Sequence, residues 1–171
     1  MLALACAAAV SGCAHELPPE ALELLDSGRV ACQNGQYAAA VERMDRFLAA
    51  HEDADRAGEA YYYRGLARYR LGRYEVARAD LDTALDEADD ERVALAARVA
   101  LGDLAYDTGD IAQAERRYRE AADQIDPGEP LADHVRYRLG CVLQRQGRWE
   151  EAALHFRRVV HYFTDSELAR R

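Results

Sequence analysis

The side chains most capable of chemistry here are four cysteines and five histidines, and their spacing indicates no catalytic or metal centre. The cysteines, at positions 6, 13, 32 and 141, form no CxxC pair and no Cys/His pair with metal-ligand spacing. The histidines contain no HExxH motif and no pair four residues apart. No nucleophile–base set, phosphate-binding loop or dinucleotide fingerprint occurs either. We therefore predict that the protein is not an enzyme and uses no metal and no cofactor.

Cys13 is the cysteine whose surroundings indicate a modification. Residues 1–10 form an apolar run that is too short to span a bilayer but has the length of a signal-peptide core. The following Val10-Ser11-Gly12-Cys13 resembles the bacterial lipobox, in which an apolar and two small residues precede a cysteine that is acylated and becomes residue one. The resemblance implies a lipoprotein signal peptide over 1–12, lipidation at Cys13, and a tether over 13–19. Because Ala14 rather than an aspartate follows the cysteine, the resemblance also implies that the lipoprotein is sorted to the outer membrane.

One departure from the signal-peptide pattern and one alternative accompany this interpretation. No basic segment precedes Leu2, which indicates a signal peptide truncated at its start. The alternative is that residues 1–12 are an ordinary alanine-rich helix start, and the protein is then a soluble cytoplasmic adaptor.

Length, charge and residue types restrict the class of protein. A chain of 171 residues corresponds to about one domain, and its half-apolar composition is globular rather than disordered. A net charge of −9 argues against non-specific nucleic-acid binding, which requires a basic surface. β-Branched residues are sparse and do not alternate with polar ones, so we predict an all-α fold.

The elements that must position any site are organised by a repeat. Glycines recur at 35, 72, 109 and 147, in steps of 37, 37 and 38 residues. Each is preceded seven residues earlier by another glycine, and followed two, five and nine residues later by a large residue, an alanine and a second large residue. The first copy consists of Gly28, Gly35, Tyr37, Ala40 and Met44, and the last consists of Gly140, Gly147, Trp149, Ala152 and Phe156. Such a fixed period is the signature of a solenoid.

Apolar periodicity around the turn glycines predicts eight helices in four antiparallel pairs. Their expected ranges are 20–33, 37–51, 55–71, 74–88, 91–107, 111–125, 131–146 and 149–163. We expect the glycine in each first helix and the alanine in each second helix to permit close helix packing. We expect the large residue that starts each second helix to fill the remaining space: Tyr37, Tyr74, Ile111 and Trp149.

This order of small and aromatic residues resembles the tetratricopeptide repeat (TPR). The resemblance implies a right-handed α-solenoid of about four helix-turn-helix repeats, at 21–54, 58–91, 95–128 and 133–166, within a domain over 20–171. The period is three to four residues longer than usual, and the proline that closes each unit is mostly missing. Residues 152–169 further resemble repeats of outer-membrane assembly and Tol–Pal-type TPR lipoproteins, with Thr164 in place of their proline.

In the family, the first helix of each pair lines a concave groove that binds protein segments. Carried over by register, the groove residues are Arg29, Tyr62, Tyr69, Arg70, Tyr106, Tyr137 and Arg145. The same register also places Leu25, Cys32 and Val99 on the groove. Tyrosine and arginine together have the composition of a binding hot spot. The alternative is that some of the tyrosines only fill the inner wall.

The resemblances lead to one main functional prediction and one from another class. The first is a non-enzymatic protein–protein interaction scaffold of the bacterial cell envelope, anchored by Cys13 on the periplasmic face of the outer membrane. It binds a protein or peptide partner in the groove, and no nucleic acid. The second is a structural module that forms homo-oligomers through its uncapped last repeat, which includes Leu154 and Val159.

Overall fold

Eight α-helices and no strand make up the part of the chain that the computed structural model describes, residues 17–126 and 128–163. The helices are α1 (Pro19–Gln33), α2 (Tyr37–His51), α3 (Ala57–Arg70), α4 (Tyr74–Glu87), α5 (Glu91–Thr108), α6 (Ile111–Ala122), α7 (Pro130–Arg145) and α8 (Trp149–Phe163). The all-α prediction is confirmed. Cys13 and the predicted signal peptide lie outside the described residues, and the domain and repeat limits stay predictions.

The helices form a solenoid of four antiparallel hairpins. Each helix packs against its neighbours in sequence, and α1, α3, α5 and α7 also contact one another in order. Within the described ranges, no two even-numbered helices bring their backbones close together, although Asp82 of α4 and Arg117 of α6 pair through their side chains at 3.4 Å. The odd-numbered helices therefore line the inner, concave side, and the even-numbered helices lie on the outer side.

The four turn glycines close the four hairpins in the same way. Gly35, Gly72, Gly109 and Gly147 have φ of 74°, 74°, 88° and 75°, a left-handed conformation that glycine adopts without a Cβ penalty. The residue after each turn glycine donates its backbone amide to a carbonyl in the last turn of the preceding helix, as in Gln36 N to Ala31 O at 2.8 Å and Arg148 N to Leu143 O at 2.9 Å. These bonds satisfy carbonyls that a helix end leaves unpaired. The recurring glycine spacing therefore has its cause in this turn.

The helical glycines permit the close approach that was predicted for them. A Cβ at Gly102 would lie 2.7 Å from the ring of Tyr118, and one at Gly140 would lie 2.5 Å from the ring of Phe156. The alanines expected to pack beside them are buried: Ala40, Ala77, Ala114 and Ala152. Each hairpin thus has a large side chain of the second helix seated on a glycine of the first.

Two other packing expectations are wrong. Tyr74 and Trp149 do not fill interhelical space, because their side chains are 38% and 60% exposed. Each begins its helix directly after a short turn, where the chain itself leaves part of the ring open to solvent. Leu25, Cys32 and Val99 are core residues rather than groove residues. Neighbouring helices cover them almost completely, as for Cys32, whose Sγ lies 3.9 Å from the Tyr63 carbonyl oxygen of α3.

Glu115 ties α6 to the turn between α7 and α8. Its carboxylate accepts hydrogen bonds from Arg148 Nη1 at 2.7 Å, Arg119 Nη2 at 2.8 Å and Gln146 Nε2 at 2.7 Å. Burial alone would raise the pKa of the Glu115 carboxyl, but these hydrogen bonds outweigh burial and lower it to about 2. The carboxylate therefore stabilises the third and fourth hairpins only while it is ionised.

We expect Glu115→Gln to lower the free energy of unfolding at pH 6 by about 1–2 kcal/mol, because a depressed pKa is a gain in folded-state stability. The folded pKa lies below the unfolded value, so this gain is present above about pH 4.5 and is lost as pH falls toward 2. Urea titrations from pH 6 to pH 2.5 should show the two proteins converging in acid. A difference in unfolding free energy between the two proteins that does not change with pH would show that the ionised Glu115 carboxylate is not the source of the stability.

No helix within the described residues is long and apolar enough to cross a membrane.

Candidate protein-binding surface on the concave side

The seven predicted groove residues all lie on odd-numbered helices. Four of them belong to one continuous surface across α3, α5 and α7, and a fifth adjoins it. We call this surface the concave cluster and define it as Tyr69, Asp103, Tyr106, Asp107, His134, Tyr137, Arg138 and Arg145. Arg70 adjoins it, with its guanidinium carbon 5.7 Å from the centre of the Tyr69 ring.

Tyr106 is the centre of the cluster. The guanidinium carbon of Arg145 lies 4.1 Å from the centre of its ring, and that of Arg138 lies 4.7 Å from it. Arg145 Nη1 also donates a hydrogen bond to the Tyr106 carbonyl oxygen at 3.2 Å. Each stacking contact is a cation–π interaction that restricts a long and otherwise flexible side chain.

Asp103 holds the cluster to the scaffold. Arg138 Nε and the Tyr118 hydroxyl both donate to its Oδ1 at 2.6 Å, and His134 Nε2 lies 3.0 Å from its Oδ2. Burial acts to raise the pKa of the Asp103 carboxyl, but His134, Tyr118 and Arg138 outweigh burial and lower it. One carboxylate thus connects α5, α6 and α7 and orients Arg138 under the Tyr106 ring.

Tyr69 extends the cluster onto α3. Its hydroxyl donates to Asp107 Oδ2 at 2.5 Å, and Arg138 Nη2 lies 3.4 Å from the other oxygen of that carboxylate. Burial, and then the hydrogen bond to Asp107, raise the pKa of the Tyr69 hydroxyl. Tyr69 therefore stays neutral and remains a hydrogen-bond donor under physiological conditions.

The remaining predicted residues have different surroundings. Tyr137 is 51% exposed, and its ring centre lies 5.8 Å from that of Phe156. Arg29 lies one hairpin away and pairs with Asp26 at 3.3 Å. Tyr62 is half-buried against the core that joins α4 and α5. Its position agrees with the alternative in which a tyrosine fills the inner wall.

Arg138 was missed as a site residue. The repeat period would have found it, because one period added to Asp103 gives a position within a helical turn of Arg138. The repeat period alone does not give the rotation between successive hairpins. That rotation decides which residue of the turn faces the Asp103 carboxylate.

Arg70 and Arg145 differ from the other arginines of the surface. Within the described part of the chain neither has a carboxylate partner, although acidic residues outnumber basic ones by 31 to 22. Arg138, by contrast, contacts both Asp103 and Asp107. The two unpaired guanidinium groups therefore retain free donors that face the concave side.

Other chemistry on the described residues is limited. They contain no group of three or more His, Cys, Asp or Glu side chains that could hold a metal ion. Cys32 and Cys141 are free thiols. Burial raises the pKa of the Cys32 thiol, which makes it a poor nucleophile.

Helical hairpins stacked into a solenoid with a polar and aromatic concave side define a repeat protein of the protein-interaction class. A sequence profile described as "Tetratricopeptide repeat" matches residues 25–92 and 99–167, more than half of the chain. The protein belongs to the tetratricopeptide repeat family. Compared by sequence with curated proteins, it matches none.

Solved structures of a protein called MamA share this fold. One titled "Crystal structure of MamA" is 21% identical, with a TM-score of 0.69 over 90% of this chain and 83% of MamA. Another, "MamA RS-1 ArsTM double mutant", is 21% identical, with a TM-score of 0.70 over 86% of this chain and 78% of that one. At this identity the similarity establishes the solenoid fold alone.

Proposed function

We propose that this protein is a non-enzymatic scaffold that binds a segment of a partner protein on the concave cluster. The observation that carries the proposal is Arg145, which is stacked on Tyr106 and has no carboxylate partner in the described chain. A guanidinium group that is held in place but unpaired is suited to accept a carboxylate from another molecule. Membership of the TPR family supports the same class of function.

The surroundings of Arg145 indicate the kind of segment that would fit. Exposed Tyr137 offers an aromatic face, and Tyr69 and Tyr106 offer further planar area with little side-chain entropy to lose. The partner is therefore a segment that presents an acidic side chain beside an apolar or aromatic one. A positively charged segment is disfavoured by the arginines that occupy the surface.

The cluster is pre-organised for this task. Asp103 fixes Arg138, Asp107 fixes Tyr69, and the stacked arginines limit the motion of Tyr106. Binding therefore orders few side chains, which lowers the entropic cost of association.

We expect Tyr106→Ala combined with Arg145→Ala to reduce recovery of the partner from envelope extracts by at least about tenfold, because aromatic and arginine anchors dominate such surfaces. The matched control is Val76→Ala, which removes an apolar side chain that is 47% exposed on the outer helix α4. Partner recovery should be unchanged in this control. Equal recovery by all three proteins would contradict the concave cluster as the binding surface.

The proposal extends to location: Cys13 carries a lipid that holds the scaffold at the periplasmic face of the outer membrane. Its support is the lipobox-like Val10-Ser11-Gly12 before the cysteine and the proline-containing tether after it. Two or three acyl chains on one cysteine suffice for stable anchoring.

We expect radiolabelled palmitate to enter the wild-type protein and Cys6→Ala, and to be absent from Cys13→Ala. Cys6 is the matched control because it lies within the same apolar run. Label in all three proteins would contradict acylation at Cys13. Recovery of the wild-type protein in the soluble fraction would contradict the lipid anchor. It would leave the proposal of partner binding at the concave cluster untouched.

A further inference from the structure

An apolar stripe runs along one face of α8, the last helix of the solenoid. It consists of Trp149, Ala153 and Val160, whose spacing of four and seven residues places them on one side of a helix. Phe156 is not part of it, because its ring is seated on Gly140 of α7. Trp149 is 60% exposed and Val160 is 63% exposed. Exposed apolar residues that line up in this way, rather than singly, indicate a contact surface.

The repeat shows what this face does elsewhere in the molecule. Val160 and Ala153 occupy the positions that Leu48 and Val41 hold in α2, which are only 5% and 8% exposed. Those two residues are covered by the next odd-numbered helix, α3. The stripe on α8 is therefore the face on which a further odd-numbered helix packs.

The opposite end of the solenoid has a matching open face. Val30 of α1 is 44% exposed, although its counterparts in α3, α5 and α7 are fully or almost fully buried: Ala67, Leu104 and Val142. Glu23, Ser27 and Val30 line a cleft of about 440 Å³ together with Asp26, Ala31, Gln36 and Arg43. The cleft is shallow and open, and it lies where the preceding even-numbered helix would pack.

The two ends are also complementary in charge. Arg157 lies beside the stripe on α8 and donates a hydrogen bond from Nε to the Ala153 carbonyl oxygen at 3.2 Å. It has no carboxylate partner among the described residues. Glu23 is exposed beside the cleft and has no cationic partner in the same residues. Packed helices of successive hairpins run antiparallel, which brings the basic second half of α8 opposite the acidic first half of α1.

We infer that copies of this chain associate head to tail, with α8 of one copy packed on α1 of the next. Trp149 enters the cleft beside Val30, and Arg157 pairs with Glu23 across the junction. The two surfaces are different, so the contact is heterologous and continues the solenoid as an open series rather than closing as a dimer. The junction leaves the concave cluster uncovered, so it is independent of the proposed partner binding.

Sedimentation velocity over a concentration series tests this inference, using the full chain with Cys13→Ala so that acyl chains cannot drive association. We expect the average mass to rise steadily with concentration beyond that of a dimer, and to fall as salt screens the Arg157–Glu23 pair. A monomer at every concentration would overturn the inference, as would a dimer that grows no further.

Charge reversal identifies the two surfaces. Arg157→Glu or Glu23→Arg alone should weaken self-association at least about tenfold, because like charges then meet at the junction. A mixture of the two variants should associate again, since each acidic end finds a basic one. Failure of the mixture to recover would overturn the pairing.

A pair of apolar substitutions on α8 separates the stripe from general surface hydrophobicity. Trp149→Ala should weaken association to a similar extent, whereas Leu154→Ala should have no effect. Leu154 is 54% exposed on the same helix but lies off the stripe. If Trp149→Ala and Leu154→Ala weakened self-association equally, the stripe would not be the contact surface and the inference would be overturned. Because all four substituted side chains are exposed or border solvent, the helical circular dichroism should be unchanged.

Discussion

Asp80→Ala is expected to lower the free energy of unfolding by about 3–5 kcal/mol, the range for breaking a buried ion pair from one side. Asp80 is the buried charged residue of the described core, with 4% of its surface exposed. Its Oδ1 accepts from Arg64 Nη2 at 2.7 Å, and its Oδ2 accepts from Arg68 Nη1 at 2.8 Å and from Arg64 Nε at 3.1 Å. Alanine would leave two largely buried guanidinium groups without their main acceptor.

Asp45 cannot replace the missing carboxylate. It contacts Arg64 Nη1 at 2.9 Å and Arg68 Nη2 at 3.1 Å through the same oxygen, and its side chain is 47% exposed. A half-exposed carboxylate is screened by water and contributes little to stability. Asp80 lies on α4 and both arginines lie on α3, so the loss of Asp80 should weaken the packing of α3 on α4 within the second hairpin.

Asp82→Ala provides the matched control for urea-induced unfolding. It removes a carboxylate from the same helix two residues away, where the side chain is 48% exposed and contacts Arg117 at 3.4 Å. We expect a loss of no more than about 1 kcal/mol there. Similar losses for both variants, or a loss below about 1 kcal/mol for Asp80→Ala, would show that the buried network does not stabilise the solenoid.

The contrast between Asp80 and the turn glycines shows what could be predicted from the sequence. The turn glycines and the glycine–aromatic pairs recur in all four hairpins, so each repeat is independent support for the others. Asp80 occurs once, and its register counterparts are Arg43, Arg117 and His155. A feature outside the period is indistinguishable from an ordinary surface charge until the helices are placed.

The proposed binding surface was predictable in part for the same reason. Register alone selects the concave side, and it brought Tyr69, Tyr106 and Arg145 to one place. It cannot tell whether a tyrosine on that side faces solvent or the adjacent hairpin, which is why Tyr62 and Tyr137 have different environments. That distinction depends on the angle between hairpins, which is set by the packing of many side chains together.

Gly58→Ala is the second substitution expected to have a large effect, a loss of about 2–3 kcal/mol in the free energy of unfolding. Gly58 lies in the first turn of α3, outside the repeating pattern of glycines. A Cβ there would lie 2.6 Å from the Ala88 Cα, 2.8 Å from the Ala88 amide nitrogen and 3.0 Å from the Glu87 carbonyl oxygen. These are backbone atoms at the end of α4, so the clash can be relieved only by moving one helix away from the other.

Flexible surroundings should make the same change less costly elsewhere, and this gives the test its controls. At Gly28 the nearest atom is the terminal methyl of Met44, at 2.6 Å, which can rotate away. Gly128 has nothing within 4 Å of a Cβ, and alanine there should change the free energy of unfolding by less than about 0.5 kcal/mol. In urea titrations we expect Gly58→Ala to lower the unfolding midpoint most, Gly28→Ala to lower it less, and Gly128→Ala to lower it least.

The Gly58→Ala substitution should also affect partner binding. Because α3 carries Tyr69, a tilt of this helix should weaken binding at the concave cluster. A loss of stability with unchanged binding would show that the hairpin unfolds more easily but does not shift in its native state.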